Sequence, residues 1–298
     1  MNDQEVLDVV VPLTAAAETA AALAARLRLD ADSTRPDPAV AAALDRTAAL
    51  AAPAADLDDL DASTRDVVVG TVTSFLEQAL ELIQNPSRAC GWVYTDPVVL
   101  QAQGRSSVRV ADLIATVAPT LAGLTEALSQ PDARILDVGS GVAALTIACC
   151  RTFPAASVVG LEPWEPAMAL GRANVAAAGL DDRIELRDER VEDLVDGTVF
   201  DLAWLPALFI APASLDAAVA RVATSLRPGG WLILGRYAAP DDPLADALAE
   251  LRTVRGGGTM LTDEQGIERL ELAGLVDVHA VAGDWSLPVR FVAGRRSA

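Results

Sequence analysis

Ala133-Arg134-Ile135-Leu136-Asp137-Val138-Gly139-Ser140-Gly141-Val142-Ala143-Ala144-Leu145 is the stretch on which the fold turns. A short apolar run, Ala133–Val138, leads into two glycines one residue apart and then into a helical pattern, Ala143–Arg151. Glycine at 139 and 141 lets the backbone turn tightly and approach a ligand with no Cβ in the way. The spacing satisfies G-x-G-x-x-A. The next apolar run, Ser157–Leu161, closes on Glu162, 21 residues after Gly141. An acid there is placed to accept both hydroxyls of a ribose, so a ribose-containing ligand is expected across the carboxyl ends of the first two strands. A dinucleotide would set its pyrophosphate over the helix N-terminus, where Asp137 would crowd the anion. An acid at that point suits a ligand carrying an amino or sulfonium charge.

Working outward, Arg183–Arg187, Phe200–Trp204 and Trp231–Leu234 are further strand candidates, with helical stretches at Glu165–Ala178 and Ala213–Leu226. Strands alternating with helices predict a parallel sheet covered on both faces. Val276–Val281 and Val289–Ala293 are separated only by AGDWSLP, too short for a helical crossover, so this pair is expected to be antiparallel. The fold class is therefore α/β: a Rossmann-like seven-stranded, mostly parallel sheet with a terminal antiparallel hairpin, preceded by an all-α region.

Upstream the sequence reads as helix. Thr14–Leu29 is Ala-rich and ends in Arg26 and Arg28. Asp37 can cap a helix that has Pro38 at its first position and runs to about Ala51. An acidic linker, Ala55–Asp61, precedes a broad apolar stripe of Val68, Val72, Phe75, Leu76, Ala79, Leu80 and Ile83, stopped by Asn85-Pro86. A long pattern from Arg105 to Leu128 must break at Pro119. The expected domains are 1–86, a helical domain for lid or dimer contacts; 87–130, connecting helices; and 131–298, the α/β domain.

The 298 residues hold 23 basic and 42 acidic side chains, a net charge of −19, and every basic residue is Arg. So acidic a chain repels phosphate backbones, which argues against nucleic acid. Without Lys there is no Schiff-base or P-loop chemistry. Cys90, Cys149 and Cys150 form neither a disulfide framework nor a zinc spacing, so no metal is expected. The opening MNDQEVLD lacks the positive charge of a signal peptide, and no run approaches 18 consecutive apolar residues. A cytoplasmic protein with no membrane partner is the expectation.

Residues from about 133 to 298 resemble the class I S-adenosylmethionine-dependent methyltransferases. The resemblance rests on ILDVGSGVA, VVGLE, FDLAWLPALFI and LRPGGWLILG. It implies S-adenosyl-L-methionine as cofactor and S-adenosyl-L-homocysteine as product. It further implies a cofactor site drawn from Asp137, Gly139, Ser140, Gly141, Glu162, Pro163, Trp164, Glu189, Arg190, Val191 and Trp204. Arg105 is a candidate to meet the cofactor's carboxylate. Two departures stand out: Ala143 occupies the place of a third glycine, and Arg190 occupies the usual place of an acid that meets the adenine amino group.

The chain has five Trp, two Tyr and five Phe, so aromatic placement carries information. Trp92, Tyr94, Leu205, Phe209 and Tyr237 are candidates for an acceptor pocket at the carboxyl ends of the strands, where open α/β sheets bind ligands. The pocket and the acidic charge point to a small, apolar or aromatic acceptor. His279, inside a strand, and Tyr237 are the candidates for a base. Arg255-Gly256-Gly257-Gly258-Thr259 reads as a flexible stretch, either a lid or a plain loop, before a helix capped by Thr262 with Gln265. A homodimer through the N-terminal helices is a further expectation. An alternative keeps the cofactor but uses its charge for cyclisation, decarboxylation or hydroxylation. A nicotinamide-dependent oxidoreductase fits the glycine spacing but not Asp137.

Overall fold

The computed structural model describes residues 3–31, 37–54, 56–238, 242–283, 285 and 287–297. Ala55, the first residue of the acidic linker, lies outside them. The chain divides into two compact units, Met1–Ser87 with Val98–Ser107, and Arg88–Pro97 with Val108–Ala298.

The first unit is helical. Helix α1 (Asp3–Ala31) packs against α2 (Pro38–Ala51) and α3 (Ala62–Gln84), and α4 spans Pro97–Ser107. Asp37 caps α2 by accepting from the Ala39 and Val40 amides, and Asp61 caps α3 by accepting from Thr64. Arg26 of α1 ties both ends of α2's neighbourhood, pairing with Asp45 at 2.5 Å and Asp58 at 2.9 Å. Helix α1 begins eleven residues before the expected Thr14 and holds Pro12 in its interior, a residue that reads locally as a breaker. Residues 4–18 of α1 are exposed on every side, including Val6, Leu7, Val9, Val10, Val11 and Leu13. No uninterrupted apolar run reaches 18 residues, yet Gln4–Leu29 is long and apolar enough to cross a membrane by length and composition alone.

The expected stripe on α3 is half-buried at Val68, Val72, Phe75 and Leu76 and exposed beyond, and the most buried positions lie beside it. Val67, Gly70 and Ser74 are buried, whereas Leu80 and Ile83 are exposed. Close approach of small residues decides this. A Cβ at Gly70 would sit 2.5 Å from the Arg105 Cβ, and the Ser74 hydroxyl donates to Gln103 Oε1 at 2.8 Å.

The pattern expected as one helix broken at Pro119 is in fact three pieces, the first in the helical unit and the other two in the second. They are α4, α5 (Arg109–Val117) and α6 (Leu124–Leu128), with Pro119 in a single 3-10 turn before Gly123. Then strands and helices alternate: β1 (Arg134–Val138), α7 (Ala144–Thr152), β2 (Ser157–Leu161), α8 (Glu165–Ala178), β3 (Ile184–Arg187), β4 (Phe200–Pro206), α9 (Pro212–Ser225), β5 (Leu226–Tyr237), α10 (Pro243–Arg255), α11 (Asp263–Leu272), β6 (Val276–Ala280) and β7 (Val289–Arg295). The sheet order is β3-β2-β1-β4-β5-β7-β6, with β1 to β5 parallel and β7 antiparallel to both β5 and β6. The order reverses between β1 and β4, the switch point at which such sheets bind ligands. One face of the sheet packs on α5, α6 and α7, the other on α9 and α11. Cys149 and Cys150 are buried on the first face as packing residues.

Candidate functional site

The turn that leaves β1 has positive φ at alternate positions: Gly139 (69°), Gly141 (56°) and Ala143 (61°). A Cβ at Gly141 would meet nothing within 4 Å, and one at Gly139 only Pro206 at 4.0 Å, so both glycines face open space. Ala143 adopts the left-handed conformation without being glycine, a strain of about 1 kcal/mol. Its amide donates to Ser140 O at 2.8 Å, closing the turn.

Helix α8 braces this turn from behind. A Cβ at Gly171 would lie 3.1 Å from the Gly141 carbonyl, and Asn174 Nδ2 donates to Val142 O at 2.8 Å. Ser140 serves through its main chain. Its amide donates to Leu161 O at 2.9 Å, while its buried hydroxyl points at Gly160. Sequence reasoning missed Gly171 and Asn174, whose only signal is their small or polar character on an otherwise apolar helix.

Two carboxylates flank the turn. Glu162, at the end of β2, accepts from the Gly141 amide through one oxygen and from the Trp164 amide through the other, both at 2.8 Å. Burial pushes its pKa up, the two amide bonds pull it down, and nearby Asp188 adds to the rise. Asp137 is 2% exposed on the α7 face of the sheet and accepts from Thr146 Oγ1 at 2.6 Å. Desolvation pushes its pKa to about 7; the Thr146 bond opposes this and the Glu162 charge adds to it. Thr146, a lone hydroxyl in ALTIACC, was legible only as a polar interruption.

After β3, Val191 is buried and Glu189 half-buried, 3.9 Å from Arg187. Arg190 is exposed, with its guanidinium paired to Glu192 at 2.8 Å. Pro163 is exposed at the start of the connection to α8. Arg105 belongs to the helical unit, in the last turn of α4, where burial lowers its pKa against the opposing charge of Asp66.

Four aromatic residues converge. The Trp92 ring meets Tyr94 edge-on at 5.0 Å and Phe209 at 5.6 Å, and Trp164 Nε1 donates to the Tyr94 carbonyl at 2.8 Å. The remaining expected cofactor, pocket and base residues lie elsewhere. Trp204 is buried flat across Gly235, where a Cβ would fall 2.1 Å from its ring, and edge-on to Phe291 at 5.4 Å. Leu205 is fully buried on the opposite face, in the core with α9. Adjacent strand residues point to opposite faces, so the two cannot line one pocket. Tyr237 lies under the Arg252 guanidinium, 5.8 Å from its ring, and burial raises its phenol pKa, which disfavours a role as base. His279 sits on β6, four strands from β1, with Nδ1 2.8 Å from Asp277 O. At about 4.8 Å per strand that is roughly 19 Å from the glycine turn.

The glycine stretch after α10 is packed, not loose. Gly258 approaches the Leu208 carbonyl so closely that a Cβ would overlap it at 1.8 Å, and Thr259 donates through its amide to Ala207 O and through Oγ1 to Ile210 O. Thr262 and Gln265 form the expected capping box at the start of α11.

Residues 135–230 match the family model described as a methyltransferase domain. Among curated proteins, the release factor glutamine methyltransferase of Cereibacter sphaeroides is 32% identical over 183 residues, 53% of this chain. The chain spans 51% to 65% of the length of the curated relatives it matches. Of solved structures, an O-methyltransferase family protein from Burkholderia thailandensis superposes with a TM-score of 0.67 at 16% identity, covering 98% of both chains. Human N-acetylserotonin methyltransferase, solved in complex with SAM, gives 0.63 at 11% identity over 100% of both. The match over residues 135–230, these superpositions and the sheet order together give the second unit the class I methyltransferase fold.

Proposed function

We propose that this chain is an S-adenosylmethionine-dependent methyltransferase acting on a small, apolar or aromatic acceptor. One observation carries the reading: Gly139 and Gly141 turn with positive φ and open onto free space, and the Gly141 amide is held by the Glu162 carboxylate. The residues present fit such a cofactor. Glu162 keeps lone pairs free of its two amide bonds for ribose hydroxyls. Asp137, behind the turn, with its pKa pushed to about 7, supplies negative charge toward a ligand bearing ammonium and sulfonium groups when it ionises. When bound, the cofactor supplies an electrophilic methyl group.

The protein's part is to orient and to exclude water. Trp92, Tyr94 and Phe209 offer an apolar wall, and alignment of acceptor and methyl can itself supply several kcal/mol. With Tyr237 held protonated and His279 remote, the acceptor supplies its own nucleophile. We further propose that a second copy of the chain covers α1. Its exposed half carries Val6, Leu7, Val9, Val10, Val11 and Leu13, and apolar side chains so grouped on a helix are stable when buried. Glu5, Asp8 and Glu18 with no basic residue before Arg26 disfavour an anionic membrane.

Calorimetric titration with S-adenosylmethionine, S-adenosylhomocysteine and, as control, NAD tests the reading. Micromolar binding of the first two is expected. Binding of NAD alone, or of none in folded protein, refutes it. Turnover without stoichiometric S-adenosylhomocysteine would select the non-methylating alternative.

A further inference from the structure

The segment Arg88–Pro97 is tied down at both ends by parts of the second unit far away in sequence. At one end Gly91 donates its amide to Arg255 O at 3.0 Å, and Arg88 Nη1 holds the Gly91 carbonyl at 2.8 Å. Gly91 lies against Gly257 backbone on backbone: a Cβ at Gly257 would fall 2.9 Å from the Gly91 Cα. At the other end the Tyr94 carbonyl accepts from Trp164 Nε1 at 2.8 Å. Between them Trp92 leans on Phe209, just past β4.

These anchors lie past β4 and β2: the Arg255–Gly258 stretch packs on Leu208, beside Phe209 just after β4, and Trp164 follows β2. In the sheet order β2-β1-β4, a segment fixed at those points crosses the edge at which β1 delivers Gly139 and Gly141. Two strand spacings amount to about 10 Å, a span that four extended residues and one indole cover. Trp164 therefore holds two things at once. Its backbone amide binds Glu162 Oε1, and its indole N–H binds the strap.

We propose that Trp164 is a positioning residue that latches the strap Arg88–Pro97 across the glycine turn, so that occupancy of the site at Glu162 sets the acceptor wall formed by Trp92, Tyr94 and Phe209. The inference rests on the cofactor reading above and adds an order of events: the cofactor binds first and the wall takes its final form on it. Glu162, Trp164, Tyr94 and Trp92 form a continuous chain of hydrogen bonds and ring contact from one site to the other.

Amide hydrogen exchange of the full chain, with and without saturating S-adenosylhomocysteine, tests it. Saturation is checked by calorimetry for each protein, and β1 and β4 amides serve as the control for folding. In the unaltered protein the ligand is expected to slow exchange at Gly91, Trp92, Val93 and Tyr94 by tenfold or more. Trp164→Phe keeps a ring but removes the donor; these amides should then exchange about tenfold faster without ligand, and the ligand effect should shrink below about twofold. Gly257→Ala releases the opposite anchor without touching Trp164 or Glu162 and should uncouple the strap in the same way. If strap exchange in ligand-free Trp164→Phe equals that of the unaltered protein, the latch is wrong. If bound ligand leaves the unaltered strap unmoved, the coupling is wrong and the cofactor reading stands. If the unaltered protein binds no ligand, the cofactor reading fails, the coupling falls with it, and the ligand-free comparison alone judges the latch.

Discussion

Asp137→Asn exchanges a buried carboxylate for a neutral group of the same shape and separates the fold's interest from the site's. The carboxyl has a pKa near 7 in the fold against an ordinary value of 3.8, chiefly because burial disfavours the ion. A raised acid pKa means the folded chain holds the proton more tightly than the open chain. Its contribution is complete below about pH 4 and is lost as pH rises toward 7. The gap between the two values corresponds to about 4 kcal/mol in full, of which about 2 kcal/mol falls between pH 5.5 and 8.5. Asn has no such dependence, and acids that do not interact with Asp137 cancel in the comparison. Urea unfolding of both proteins at pH 5.5, 7 and 8.5 is the assay. The variant should gain on the parent by about 2 kcal/mol across that range, while losing affinity for S-adenosylmethionine at pH 8.5. Stability curves that run parallel would show that the Asp137 carboxyl is not held neutral by the fold, and the reasoning would fail.

Glu162→Ala leaves the Gly141 and Trp164 amides without their acceptor, so calorimetry should show S-adenosylhomocysteine binding weakened by about 1–3 kcal/mol. Its melting temperature should fall as well, because the carboxylate also staples the empty turn. Gly235→Ala places a methyl inside the Trp204 ring and should lower urea stability by about 1–3 kcal/mol, whereas the same change at the unobstructed Gly179 relocates no side chain. Ala143→Gly relieves a left-handed alanine at the expense of a buried methyl. A net gain of up to about 1 kcal/mol in denaturant unfolding is expected, and a loss would mean the methyl's packing outweighs the strain.

Most strands and helices of the α/β unit were legible because their signals are local; α10 was not read. β2 and α8 fall on Ser157–Leu161 and Glu165–Ala178 as read from period and caps, and Asp37-Pro38 opens α2 as read from capping chemistry. The glycine turn and Glu162 were legible for the same reason: turn, strand end and acid lie within thirty residues. What was not legible depends on partners distant in sequence. Strand-end position placed Trp204 and Leu205 near a pocket, but Gly235 draws one ring into the core and alternation sends the other side chain to the far face. On α3, apolar content marked a stripe that is half-buried over its first half, while the deepest burial falls at Gly70 and Ser74, since helix approach follows small size as well as hydropathy. Gly256 to Gly258 signal either mobility or close approach, and only the Leu208 carbonyl and Gly91 decide for the latter.

The strap has a consequence for synthesis. Its anchors are far apart in time as well as in sequence, Arg88 and Arg255 being 167 residues apart. At 5–20 residues per second, a ribosome needs roughly 8–30 s to bring the second after the first. Helix α4 and everything before it in the helical unit leave the ribosome before β1 is made, whereas Trp92 must wait for Phe209 and Gly91 for Arg255. The strap is thus among the last segments to dock, and the two aromatic rings it carries stay uncovered through most of the chain's birth.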